Sequence, residues 1–244
     1  MSRSGNRASR GRPKRLLLAA LICRILGKGP VPGVQMTFGS SFEAFLERVT
    51  SRLDPADLQK VPAAEGGVTH AAVTLLLRAA GGNAGNDALG DSAEILFIKR
   101  AVRAGDPWSG HLAFPGGRAE EKDASLLEIA MREASEEVGI DARQGGRVLG
   151  RLPTLRPVSA RIPSITVTPF VALAPPGAIP RPQPEEVEDA FWMPLAALRG
   201  SGRTASVRWE AREGAREFPA FPSPRGPIWG ITERILSQFL ALAE

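Results

Sequence analysis

Leu126, Ala130, Ala134 and Val138 recur every four residues, with Leu127 and Met131 alongside. That period predicts a helix over Asp123–Val138 with one buried stripe, closed at its C-terminal end by Gly139. Ser125 and Glu128 have the S-x-x-E spacing of a capping box, and Asp123 is the alternative cap. A second helix is expected over Phe42–Leu53, opened by Ser40 or Ser41 and ended by Pro55. Elsewhere the apolar runs are short and rich in β-branched residues. They predict strands at Val73–Leu77, Glu94–Lys99, His111–Phe114, Arg147–Leu152, Ile165–Leu173 and Glu186–Trp192. Gly81–Asp91 reads as a hairpin-type loop and Val207–Phe221 as a hairpin, with a short helix at Pro194–Leu198 and a longer one at Ile228–Leu242. Strands interleaved with a few helices make an α/β or α+β single domain.

Composition narrows the chemistry. The 244 residues are 43% hydrophobic and 23% charged, which suits a globular chain and excludes a disordered one. A lone cysteine, Cys23, excludes an intramolecular disulfide and a multi-cysteine zinc site. With His70 and His111 the only histidines, a metal would have to be held by carboxylates.

The net charge of +5 is unevenly placed. Residues 1–35 carry eight basic groups and no acid, so the remaining 209 residues sum to −3. A body of that sign gives no reason to expect a nucleic-acid partner. The basic segment 1–35 is expected to be a disordered extension or an early start, with the folded domain over 36–244 opening at Met36. A signal peptide fits less well because Arg24 interrupts the apolar stretch Leu16–Ile22; an organelle transit peptide is the remaining alternative. No apolar run reaches the roughly 18 residues of a transmembrane span, so a cytoplasmic chain is expected. A homodimer is compatible with this composition.

The residues that carry chemistry lie in 114-FPGGRAEEKDASLLEIAMREASEEVGI-140. Glu133, Glu136 and Glu137 stand at i, i+3 and i+4, within an arc of about 100° beside the apolar stripe. Like charges at that spacing destabilise a helix, and a divalent cation removes the cost. All-oxygen donors without Cys or His favour Mg²⁺ or Mn²⁺. Arg132 is placed to pair with a carboxylate and orient it, and Gly116-Gly117 reads as a bend that admits a ligand closely. Most glutamate-rich helix faces are merely solvated. The combination of FPGG, a loop and R-E-x-x-E-E-x-G-aliphatic is what separates this one.

This segment resembles the Nudix box, G-x5-E-x7-R-E-U-x-E-E-x-G-U, at Gly117, Arg132, Glu133, Ala134, Glu136, Glu137, Gly139 and Ile140. The spacing from Gly117 to Arg132 is one residue longer than in the general box, and Ala124 stands where the box has its first Glu. Asp123, Glu120 or Glu121 is left to replace that acid. The longer spacing, with 96-LFIKRA-101 upstream and 229-WGITERIL-236 downstream, is similar to the coenzyme A diphosphatase branch. Arg103 lies nearer Arg100 than the branch pattern places its second basic residue.

The resemblance implies a Nudix-type α/β/α sandwich around a mixed β-sheet, with the box over about 116–140. It implies Mg²⁺- or Mn²⁺-dependent hydrolysis of a diphosphate bond in a small-molecule nucleoside diphosphate derivative. The branch points to coenzyme A or acyl-CoA; ADP-ribose, dinucleotide and oxidised-nucleotide hydrolysis, or a non-catalytic ligand sensor, are the alternatives. By the same resemblance Glu133 and Glu137 are the principal metal ligands, with Glu136 and the Gly116 carbonyl completing the shell. A general base is needed within reach of the attacking water, and Glu186 and Glu188 are candidates on an acid-rich strand start. An exposed strand edge explains those two acids equally well. Arg100 and Arg103 are candidates for holding phosphates, and Trp108 for stacking on an adenine, against surface charge and a packed loop anchor as the plainer readings.

Overall fold

The computed structural model describes residues 40–55, 68–80, 93–106, 108–157, 164–211 and 214–244. The basic segment 1–35, Met36 and the loop expected at 81–91 lie outside them. All described residues belong to one unit, Met36–Glu244. In chain order the first elements are α1 (Ser40–Arg52), β1 (Thr69–Ala79), β2 (Ala93–Arg100), β3 (Leu112–Ala113) and β4 (Gly116–Arg118). Then come α2 (Leu126–Val138), β5 (Arg147–Arg151), β6 (Ile165–Leu173), β7 (Val187–Pro194) and α3 (Leu195–Ser201). The chain closes with β8 (Ala205–Ala211), β9 (Gly214–Phe221), β10 (Ile228–Trp229) and α4 (Gly230–Ala243).

Among the described residues, seven strands form one mixed sheet and three form a smaller antiparallel one. β1 and β6 run parallel at its centre, from Thr69 opposite Ile165 to Leu77 opposite Leu173. Both are mostly apolar and buried along their middle stretches, as suits a strand covered on both faces. Along its other edge β1 pairs antiparallel with β4 at Ala71–Val73 and with β2 at Leu77–Ala79. β2 in turn carries β3 and β7.

Alternation along β1 sends successive residues to two different cores. Leu75 and Leu77 join Phe42, Phe45, Phe97, Leu195 and Phe239, so α1, α3 and α4 cover one face. Ala72 and Leu76 join Leu96, Ile98, Phe170 and the apolar stripe of α2 on the other. This is the α/β/α sandwich around a mixed sheet that the sequence led us to expect.

Three details differ from the expected elements. Gly116-Gly117 is a strand in register with β1, not a bend. The C-terminal helix starts at Gly230, because Ile228 and Trp229 pair with Phe221 and Ala220 first. The site helix starts at Leu126: Ser125 is its N-cap, accepting from the Glu128 N–H, while the Glu128 carboxylate accepts from Ala124 N–H. Asp123 is therefore released from capping. The side chains of Ser40 and Ser41 lie outside the described ones.

Candidate active site

Helix α2 is brought close to the sheet by small residues. Thr74 of β1 donates its hydroxyl to the Ala130 carbonyl (2.8 Å), and Ala72 beside it has no bulk to hold the helix away. The two glycines of β4 serve the same approach. A Cβ on Gly116 would lie 2.3 Å from the Ala72 carbonyl oxygen, and one on Gly117 would lie 2.2 Å from Glu133 Oε1. Glycine is required here for space, between a neighbouring backbone and a functional carboxylate. At the far end, Gly139 at φ 69° turns the chain so that its N–H and that of Ile140 close on the Ser135 and Ala134 carbonyls.

Glu133 and Glu137 lie one turn apart on the sheet-facing side, and Glu137 is only 2% exposed. Glu137 accepts the Gly116 N–H at 2.9 Å. Burial raises its carboxyl to about 8, the Gly116 bond opposing and the charges of Glu133 and Glu186 reinforcing the shift. Burial also raises Glu133, against the pull of Arg132. Arg132 is the hub of the face. Its guanidinium donates to both Asp123 oxygens (2.9 Å each), to Glu133 (2.9 Å) and to Glu136 (2.8 Å). That bidentate bond holds the Asp123 carboxyl below the ordinary range. Asp123 is thus the acid among the three candidates that braces the box, with Glu120 more distant at 3.4 Å.

Glu136 points outward, to Arg132 and to Lys122 at 3.7 Å. The acid that joins the buried pair comes from another element. One carboxylate oxygen each from Glu133, Glu137 and Glu186 lie within 4.8 Å of one another. Of the two acids at the start of β7, Glu188 instead pairs with Lys99 at 2.5 Å. The ladder explains the division: β7 shifts register between Lys99 and Arg100, which face Asp189 and Val187, so Glu188 is the extra residue of a bulge.

The loop after β2 begins beside this site, with the Ala101 N–H donating to the Glu186 carbonyl at 2.9 Å. Arg100 donates to Asp106 at 3.0 Å; against burial, the Trp108 N–H and Arg100 hold the Asp106 carboxyl below the ordinary range, and the Arg100 charge opposes the rise at Glu137. Among the described residues the buried Arg100 Nε has no hydrogen-bond partner. Arg103 reaches the Glu185 carbonyl and stands 3.6 Å from Glu186, so it holds the segment that carries Glu186. Trp108 is half-buried, its N–H donating to Asp106 Oδ1 and its carbonyl accepting from His111. Asp106 and Lys122 were not singled out in the sequence. The signal for Asp106 was an acid among basic loop residues, six positions past Arg100.

The donor set suits a hard divalent cation. Three carboxylates converge, two of them are pushed toward protonation by burial and mutual repulsion, and a cation would relieve both costs.

The NUDIX domain family model matches residues 69–218. The "Uncharacterized Nudix hydrolase NudL" of Salmonella paratyphi B is 36% identical over 144 residues, 59% of this chain and 72% of that protein. The same identity and coverage hold for its counterpart in Salmonella enteritidis. Among solved structures, a MutT/nudix family protein from Enterococcus faecalis has a TM-score of 0.46 at 16% identity, covering 83% of this chain and 73% of that one. The NUDIX domain of Shewanella oneidensis NrtR, solved with ADP ribose, has a TM-score of 0.42 at 20% identity, covering 57% and 81%.

Proposed function

The chain belongs to the Nudix hydrolase family, which cleaves diphosphate bonds in nucleoside diphosphate derivatives with divalent metals, and from there we propose that its substrate is coenzyme A or an acyl-CoA. The products would be 4′-phosphopantetheine and 3′,5′-ADP. One observation carries this reading. The upstream segment that resembles the coenzyme A branch, 96-LFIKRA-101, converges with Gly116 of the box: the Gly116 N–H donates to the Glu137 carboxylate, and the Arg100 charge opposes the rise of its pKa.

Glu133, Glu137 and Glu186 would hold Mg²⁺ or Mn²⁺, with Glu136 as the outer acid of the same face and the Gly116 carbonyl adjacent. A divalent ion bound there neutralises phosphate charge and lowers the pKa of a coordinated water. The protein supplies the rest. Arg132 fixes the direction of Glu133 and Glu136 while Asp123 fixes Arg132, so the acids are oriented before substrate arrives. Glu186 is the candidate base, positioned by Arg103 to take a proton from the attacking water. Arg100 is the candidate phosphate clamp.

A panel of nucleoside diphosphate derivatives with Mg²⁺ or Mn²⁺, scored by products, tests the reading. Coenzyme A should exceed dephospho-coenzyme A by about ten- to a hundredfold in kcat/KM, the value of one charge-assisted phosphate bond. Arg100→Ala should erase that preference. Arg103→Ala should slow both substrates, because it loosens Glu186. Equal rates on the two substrates, or a faster rate on ADP-ribose, would overturn the coenzyme A assignment.

A further inference from the structure

Four aromatic rings lie together outside both cores. In the β8–β9–β10 sheet Trp209 faces Arg216, Val207 faces Phe218, and Trp229 faces Ala220, which places Trp209, Phe218, Trp229 and Arg216 on one face. Trp229 is 5.4 Å from Trp209 and 5.7 Å from Phe218, centre to centre. His111, which leads into β3, completes the group at 4.8 Å from Trp229 and 6.1 Å from Trp209. Trp209 is 39% exposed, and the other three are half-buried. Neither apolar core includes any of them. Leaving the Trp209 ring in contact with water is unfavourable by the same area rule that builds the cores.

The wall is continuous with the carboxylate site. The His111 carbonyl accepts the Arg100 N–H at 3.0 Å, and its ring lies in the fields of Asp106 and Arg100. The next residue, Ala101, donates its N–H to the Glu186 carbonyl at 2.9 Å, and Arg103 stands 3.6 Å from the Glu186 carboxylate. A substrate whose diphosphate sits at Glu133, Glu137 and Glu186 therefore has, past the Arg100–His111 backbone bond, a group of mutually tilted rings whose exposed member is Trp209, with Arg216 on the same strand face. We infer that Trp209, Trp229, Phe218 and His111 form the subsite for the purine base of the substrate; this rests on reading the carboxylate cluster as the diphosphate site. Every base offers a π-face, and stacking on aromatic side chains recognises it without a hydrogen-bond code. Burial lowers the His111 pKa, so the imidazole is a neutral ring near pH 7 and stacks as one.

Binding to the full-length chain with Mn²⁺ is measured by calorimetry, with AMP as the probe and inorganic diphosphate as the base-free control. Trp209→Ala should weaken AMP by about five- to a hundredfold, the range of base–aromatic stacking, and leave diphosphate affinity unchanged. Trp209→Phe, which keeps a ring, should recover most of the AMP affinity. The inference is overturned if Trp209→Ala binds AMP like wild type, if it loses diphosphate equally, or if only Trp108→Ala weakens AMP. The two readings fail separately. A wild type that binds AMP through Trp209 but hydrolyses no diphosphate derivative refutes the proposed function alone. One that hydrolyses such substrates while AMP ignores Trp209 refutes the base wall alone.

Discussion

On one face of the central sheet, Leu75 and Leu77 share a cluster with Phe42, Phe45, Phe97 and Phe239, and large side chains fill the space beneath α1 and α4. On the other, Ala72, Thr74 and Gly117 keep the surface low, and α2 closes in until its carboxylates meet the β4 backbone. The first arrangement gains stability from apolar area removed from water. The second brings acids together in a confined space, which raises Glu133 and sets Glu137 at about 8. One strand, β1, serves both because its side chains alternate. The scaffold and the chemistry are thus separable by residue parity, and substitutions on the two faces should fail in different ways.

The sharpest contrast is between a core ring and a site acid. Phe239→Ala should cost about 3–5 kcal/mol of stability, read by denaturant unfolding, while the folded fraction keeps its kcat. Glu137→Gln should do the reverse, lowering kcat at least about a hundredfold with the fold retained. Comparable activity in Glu137→Gln would remove that residue from the metal shell.

The adjacent glycines bring the same contrast within two residues. Gly116→Ala drives a Cβ into the Ala72 backbone, which cannot yield, and should destabilise by about 1–3 kcal/mol. Gly117→Ala meets only the end of the Glu133 side chain. Its stability should change little, whereas kcat should fall about tenfold as that carboxylate is pushed aside. Equal stability loss in both would mean that the Gly117 contact is structural.

The smallest expected effect is thermal and depends on pH. The folded-state pKa of Glu137 is raised to about 8 from 4.5, so the folded protein holds the extra proton between those values. Stability from this group is full below about 4.5 and is lost as pH rises through about 8. In metal-free protein, Tm should fall by at least about 2–4 °C between pH 6 and 9, and Glu137→Gln should flatten the fall. Mn²⁺ should raise Tm more at pH 9 than at pH 6, because binding displaces that proton. A wild-type Tm that rises over this range in chelator would show that Glu137 is ionised when folded.

Much of the α2 face was legible without coordinates. The four-residue period of Leu126, Ala130, Ala134 and Val138, the stop at Gly139, and Glu133 and Glu137 on one side of the helix are all local facts, governed by 3.6 residues per turn. The same is true of β6, whose apolar run Ile165–Leu173 matches its observed bounds. What resisted reading depends on strand partners far away in sequence. Glu186 and Glu188 have the same parity, and alternation alone puts them on one face. Only the bulge opposite Lys99 and Arg100 sends Glu188 to Lys99 and leaves Glu186 with the α2 acids.

The sequence by itself determined the interleaving of strands with helices and the helix that carries the acids, because hydrophobic period acts over a few residues. The layered sandwich was implied by the resemblance of its motif to the Nudix box. The tertiary structure alone decided that the Gly116-Gly117 pair is a strand spacer, that Asp123 braces Arg132, and that Arg103 serves Glu186. It also decided that Trp209, Phe218, Trp229 and His111 share one wall. These outcomes rest on register between strands and on side chains meeting across 9 positions for Arg132 with Asp123 and 82 for Arg103 with Glu185. Such contacts form only once the chain has closed those loops, and no local propensity encodes which loop ends will meet.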